Sequence, residues 1–376
     1  MNRLRVLDAW RGLAALIVAM FHLQAIYPAL VPGQPFAGCA AFVDFFFVLS
    51  GFVLARGYLR ADFDIGAFAW QRIARLYPLH LYTLLVIVLL EAAKTWAQHA
   101  GGVGFHRGAF EGLGPASFID NLLLLQVTGA VWHKISWNTP AWSLSAELAA
   151  NVLVAVLAAV LVRRALVPVL VLIASLCFAI LATGAMPISD YGPAALVRCL
   201  YAFALGCALY RGIAAVPPRV SKRGWDGLEA LAALAIGGAV SLLPAAHWYL
   251  ASPIFAFAIG VFAHERGAIS RLMLALRLEF LGSISYSIYL NHIAVLIVSE
   301  KALALLLAAA HLPRPGTLSS VGFCGLYLAA VIVYSWLTYR AVERPGQRLL
   351  LGFRAQQARG AGGIDGAAAG AVPATA

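Results

Sequence analysis

A few residues able to do acid–base or phosphate chemistry stand in stretches that are otherwise apolar. Arg11 is followed eleven residues later by His22, and eleven residues at about 100° each complete close to three turns, so the two share a helical face. At about 1.5 Å per residue they stand roughly 16 Å apart along it. The imidazole titrates near neutral pH and can take a proton from an attacking hydroxyl; it can also serve as a buried, hydrogen-bonded core residue beneath a snorkelling arginine. Glu147 follows the helix-start pattern NTPAWSLSAEL and falls about nine residues, roughly 14 Å, below the outer end of its helix. That is a depth comparable to His22, which makes an imidazole its most economical partner; a polar contact with Ser143, Ser145 or Trp142 is the alternative. Further along, GSISYSIYLNH sets Ser283, Ser287 and Asn291 on one stripe and Ser285, Tyr289 and His292 on its neighbour. Small polar residues of this kind also simply join helices. Asp44 and Ser50 add polar atoms to the aromatic run FVDFFFVLSGF. In QRIARLYP, Arg72 and Arg75 are three apart and project from one side of a helix, where two guanidinium forks suit a phosphate or pyrophosphate. A membrane anchor of positive charge is the competing reading.

The elements that must position these groups are membrane helices. Hydrophobic residues make up 62% of the 376-residue chain and charged residues 11%, too few to cover a water-facing surface. Apolar runs long enough to cross about 30 Å of hydrocarbon recur near 9–30, 37–57, 77–97, 138–162, 165–184, 193–211, 228–246, 247–264, 280–299 and 317–340. The expected fold is therefore an all-α polytopic transmembrane bundle of about ten helices. The shorter run at 117–132 reads as re-entrant or interfacial. One membrane domain covers 1–345, with no internal repeat. Residues 346–376 form a cytoplasmic tail whose Gly- and Ala-rich end cannot bury a core and is expected to be disordered. Arg11 and His22 interrupt the first apolar stretch, so it reads as an uncleaved first helix and not as a secretory signal. The five cysteines are scattered through apolar spans without metal-ligand spacing and read as small core residues.

A net charge of +11 raises the question of nucleic acid, but the basic residues follow the membrane instead. With the N-terminus inside, twenty of the 27 Lys and Arg fall on the cytoplasmic side, five fall outside, and Arg11 and Arg198 lie within spans. That bias fits both termini inside the cell and a largely external 98–137 segment.

Taken together, LRVLDAWRGLAALIVAMFH, FFFVLSGFVL, WQRIARLYPLHLYTL, TPAWSLSAE, GSISYSIYLNH and the closing VERP resemble the acyltransferase-3 family of membrane acyltransferases in content, order and spacing. The resemblance implies a bundle of the bacterial inner membrane. It would move an acyl group, acetyl as first choice, from cytoplasmic acyl-CoA to a hydroxyl of a carbohydrate or glycolipid, so modifying polysaccharide by O-acetylation. It implies no permanently bound cofactor and no metal. The matching positions are Arg11 with His22, Arg72 with Arg75, and Trp142 with Glu147. The arginine cluster of Arg11, Arg72 and Arg75 would hold the coenzyme A phosphates. His22 or Glu147 would act as base, Glu147 otherwise orienting the imidazole. Trp142, Ser145, Tyr289, Asn291 and His292 would contact the oxyanion or the acceptor. A soluble esterase-like domain, fused in some members, is lacking here, so the bundle is expected to act without one. A proton-coupled transporter or flippase of a lipid-linked sugar is the rival, since buried His and Glu also serve proton relays; the missing inverted repeat and broken-helix pair weigh against it. The oligomeric state stays open. The topology has a direct test: a reporter fused at Gly352 is expected to read as cytoplasmic, and an external signal there would require nine or eleven spans.

Overall fold

Where no water is at hand, each backbone N–H and C=O must find its partner within its own segment, so the apolar runs fold as helices. The computed structural model describes residues 4–31, 33–60, 62–101, 108–128, 136–186, 192–215, 220–309, 311, 317–354 and 356. Its α-helices are, in chain order, α1 (Arg5–Ile26), α2 (Phe42–Tyr58), α3 (Ile65–Gly101), α4 (Pro115–Leu122), α5 (Ala141–Val160), α6 (Arg163–Ala182), α7 (Gly192–Ala215), α8 (Lys222–Leu242), α9 (Ala251–Phe262), α10 (Ala268–Ala275), α11 (Glu279–Ser283), α12 (Ser285–Ala309) and α13 (Thr317–Thr338). Among the described residues, ten helical segments are long and apolar enough to cross a membrane, and no strand occurs.

Three limits differ from the sequence expectation, and the segment 117–132 gains detail. The third span begins at Ile65 rather than 77, so Arg72 and Arg75 belong to the same continuous helix as Pro78. Asp64 starts that helix by accepting the Ala67 N–H at 3.0 Å, a bond that holds its carboxyl below the usual carboxylate range. The last span passes through a π-helical turn, Tyr339–Glu343, and runs on to Arg354, beyond the boundary set at 345. It is docked there on α3: Trp70 Nε1 donates to Leu350 O at 2.9 Å, the Arg354 guanidinium donates to Gly66 O, and Gly346 lies against Pro78. The remainder of the expected tail, 357–376, lies outside the described residues. The span at 280–299 is broken at Ile284 between α11 and α12. Finally, 117–132 contains the short helix α4, whose Ser117, Asp120 and Asn121 are buried, followed by turns to Thr128; residues 129–132 lie outside the description. His80 Nε2 meets Asn121 O at 2.8 Å, which ties this segment to α3.

The bundle is centred on the crossing of α2 and α7. A Cβ on Gly51 would stand 2.0 Å from Phe203 O, and one on Gly206 would stand 2.0 Å from Val48 O, so only glycine allows the backbones this close. The Cys207 thiol uses the same approach to donate to Gly51 O at 3.3 Å. At the other end of the crossing, the Arg198 guanidinium grips the Asp44 carboxylate with contacts of 2.9, 3.1 and 2.9 Å, both side chains fully buried. The Arg198 guanidinium carbon also lies 6.0 Å from the Trp142 ring centre and 5.7 Å from that of Trp248, within cation–π range. Breaking one half of a buried pair strands the other charge and costs about 3–5 kcal/mol, whereas replacing both halves by apolar residues of similar volume is close to neutral. Asp44→Ala is therefore expected to be severely destabilised in detergent unfolding experiments. Asp44→Leu/Arg198→Met should recover most of the loss; a double variant as unstable as the single one would contradict this role.

Candidate active site

One cavity of about 260 Å³ opens among α1, α2, α3, α5 and the start of α12. It gathers Arg11, Arg72 and Arg75 with Ser50, Glu147 and Tyr289, so these six residues singled out in the sequence line a single space.

The cations are held by devices that hydropathy does not reveal. On α1, a Cβ on Gly12 would stand 2.4 Å from Leu281 Cβ, and one on Gly282 would stand 2.1 Å from Asp8 O, so α1 and α11 touch backbone to backbone. That contact puts the break after α11 within reach of Arg11, whose Nη2 donates to Gly282 O at 2.7 Å and whose Nε donates to Ser285 Oγ at 2.9 Å. Asp8 pairs with the same guanidinium at 3.0 Å. Arg75 is matched by Glu343, which stands in the π-helical turn and also accepts the Ser287 hydroxyl at 2.6 Å. The Arg75 guanidinium lies 5.3 Å from the ring centre of Tyr286, whose own hydroxyl donates to Leu76 O at 2.7 Å. Arg72 differs. It lies over the Phe68 ring at 5.5 Å, its buried Nε has no hydrogen-bond partner, and among the described residues it forms no ion pair. Of the three cavity arginines it is the one that no carboxylate contacts at ion-pair distance among the described residues; the charge of Glu147 acts on it only across the cavity.

Deeper in the cavity, Glu147 Oε1 accepts the Ser50 hydroxyl at 2.5 Å. The expected pairing of Glu147 with an imidazole is thus replaced by a serine on α2. His22 meets a second histidine instead: His292 Nε2 lies 3.1 Å from His22 Nδ1, with ring centres 4.8 Å apart. Equal depth on two helices did not mean a shared azimuth. Tyr289 joins the two places, since its hydroxyl meets Ser143 Oγ at 2.8 Å on the cavity side and its ring centre lies 6.1 Å from that of His292.

The other candidates are engaged elsewhere. Trp142 is buried against Phe47 and Arg198. Ser145 donates its hydroxyl hydrogen to Leu124 O at 2.7 Å and accepts Val127 N–H, tying the loop after α4 to α5; that hydrogen is not directed at the cavity. Asn291 donates to Thr338 Oγ1 at 2.7 Å. Sequence reasoning missed Ser50 as the partner of Glu147 and Glu343 as the partner of Arg75, although Glu343 stands in the VERP segment. If Glu343 fixes Arg75, then Arg75→Met and Glu343→Gln are expected to show a coupling of about 1–3 kcal/mol in a double-mutant cycle of unfolding. Additive effects would mean that the two side chains are merely adjacent.

Comparison with known proteins identifies the family. A family model described as an acyltransferase domain, that of the acyltransferase-3 family, matches residues 4–340. The chain is 32% identical over 161 residues to "Protein 2 in picA locus" of Rhizobium radiobacter, covering 40% of this chain and 80% of that protein. It is 33% identical over 155 residues to "Acyltransferase MdmB" of Streptomyces mycarofaciens, covering 39% of this chain and 37% of that protein. No solved structure matches. With the family model spanning nearly all of the helical bundle and the cavity within it, the chain belongs to the acyltransferase-3 family of membrane acyltransferases.

Proposed function

We propose that the chain transfers a short acyl group, acetyl in the first instance, from cytoplasmic acyl-CoA to a hydroxyl of a carbohydrate or glycolipid acceptor at the bacterial inner membrane. The observation that carries this reading is the single cavity with three guanidinium groups at one end and Glu147, Ser50 and Tyr289 further in. Guanidinium forks bind the phosphates of coenzyme A as bidentate partners. The unmatched charge of Arg72 supplies most of the attraction; Arg11 and Arg75, already paired, orient the phosphates. The pantetheine arm then runs inward past Ser50. A cavity of about 260 Å³ suits the thioester end of such an arm better than a long acyl chain.

His22 is the general base of the reading. It takes the acceptor proton as the acceptor oxygen attacks the thioester carbonyl. Tyr289, whose hydroxyl donates to Ser143 Oγ because the Ser143 hydrogen goes to Pro140 O, would turn that O–H to the oxyanion as it develops. Glu147, which accepts the Ser50 hydroxyl hydrogen, lines the donor passage, and its role is to offer a carboxylate oxygen to an amide N–H of the pantetheine arm. Both termini are cytoplasmic in this reading, from the distribution of basic residues.

Three variants test it together. Arg72→Ala is expected to weaken acetyl-CoA binding about tenfold or more while the protein stays folded, and Arg72→Lys to recover only part, because a point charge cannot make the forked contact. His22→Ala should lower turnover at least about a hundredfold with acetyl-CoA binding retained. Glu147→Gln should fall between the two. Unchanged donor affinity in Arg72→Ala, or full acyl transfer by folded His22→Ala, would overturn the assignment. Mass spectrometry of envelope glycans with and without the gene would name acyl group and acceptor together.

A further inference from the structure

The His22–His292 contact is built with more care than a chance meeting of two rings. On α1, Ala15 and Ala19 are fully buried on the face toward α12 and α13, small enough to let the helices close. Tyr327 of α13 bolts the seam: its hydroxyl lies 3.2 Å from His292 O and 3.4 Å from Ala19 O, bridging both helices beside the rings. Tyr289 lies against His292 and Phe21 against His22. His292 has no exposed surface.

The hydrogen bonds specify which nitrogen carries the proton. His22 Nδ1 is 3.0 Å from Val18 O, and His292 Nδ1 is 3.2 Å from Ile288 O. A carbonyl oxygen only accepts, so in each neutral ring the hydrogen sits on Nδ1 and the lone pair on Nε2. His292 Nε2 then presents its lone pair to His22 Nδ1, 3.1 Å away, and the His22 N–H is shared between Val18 O and that imidazole. The basic lone pair of His22 is thereby placed on Nε2.

We infer that His292 is the positioning residue of the reaction, acting through His22 as a neutral acceptor where hydrolytic triads use a carboxylate. This rests on the reading of His22 as general base. As the acceptor oxygen forms its bond to the thioester carbonyl carbon, its proton passes to His22 Nε2. When the tetrahedral intermediate collapses, the C–S bond breaks and the same proton passes from Nε2 to the departing sulfur. Between those events His22 is an imidazolium whose Nδ1–H points at His292 Nε2, which stays neutral throughout. An imidazole gives less electrostatic support than a carboxylate would, but it adds no permanent charge beside His22, where each further buried ion costs several kcal/mol.

The test follows transfer of radiolabelled acetyl from acetyl-CoA into the glycan of membranes carrying the full-length chain. His292→Leu keeps the volume and loses the acceptor nitrogen; His292→Gln keeps an accepting oxygen. His292→Leu is expected to lower kcat about thirtyfold with KM for acetyl-CoA within about twofold, and His292→Gln to recover to within about fivefold of the parent. In the His22→Ala background, His292→Leu should cost nothing further, because the group it acts through is gone. Gln no better than Leu, a loss that appears in KM and folded yield rather than kcat, or an undiminished effect on top of His22→Ala would overturn the assignment to His292 while leaving His22 as base. Full activity of His22→Ala would remove the base reading and this inference with it.

Discussion

The buried pair of Asp44 and Arg198 is the constraint from which the inner part of the site takes its shape. Arg198 on α7 grips α2 through Asp44 and faces α5 through the Trp142 ring, so one guanidinium fixes three helices at a common level. From that level, Ser50 lies six residues along α2 and Glu147 five residues along α5. At about 1.5 Å per residue these are descents of roughly 9 and 7.5 Å, which is why a serine and a glutamate on separate helices arrive together at 2.5 Å. The glycine crossing of α2 on α7 keeps the strut short. Without water, a charge pair this deep is held to one geometry, since any other leaves an ion alone.

The other end of the cavity follows a different rule. Arg11 and Arg75 are each neutralised by a carboxylate from the protein and are locked by further hydrogen bonds, whereas Arg72 is not. Three unmatched guanidinium groups in one cavity of about 260 Å³ would repel one another and destabilise the empty protein. Two matched and one unmatched give a site that folds without ligand and still carries a net pull on an anion. The π-helical turn at Tyr339–Glu343 is part of this arrangement, since it carries Glu343 to Arg75 and Ser287.

Much of this was legible beforehand. Ten spans follow from hydropathy, and the resemblance to the family implied that Arg11, Arg72 and Arg75 form one cluster with Glu147 and Tyr289 in the same site; helical period alone gave only shared faces. What failed was azimuth. Counting residues places Glu147 and His22 at one depth, but only the packing of α1 on α12 and of α2 on α5 decides that one meets His292 and the other Ser50. Span ends failed for a related reason: the extension of α3 back to Ile65 and of the last helix on to Arg354 is stabilised by each docking on the other, not by apolar length. The break at Ile284 was hidden because Gly282 is needed only once Asp8 O is known to press on it. Glu343 was in view within VERP, but nothing local pointed it at Arg75.

A gradient of charge with depth ties these parts into one chemical logic. Along α1, full ions crowd the end of the cavity where Arg11, Arg72 and Arg75 lie, while about 16 Å further on the ionisable pair is two imidazoles; the buried Asp44–Arg198 pair on α2 and α7 keeps its ions matched to each other. Acyl exchange between a thioester and an alcohol begins and ends with neutral groups; only its intermediate carries charge. If His22 is the base as proposed, a ring that is neutral at rest, next to a second neutral ring that can accept its N–H, pays the desolvation cost of an ion only while the intermediate exists. A permanent carboxylate at His292 would stabilise the same imidazolium more strongly, but it would oblige the bundle to hold a charge in that layer throughout the cycle. The ions that the proposed reaction would need at all times, those assigned to the donor phosphates, stand instead at the end of the bundle where Arg5, half-exposed, pairs with Glu279 and solvent shares the cost.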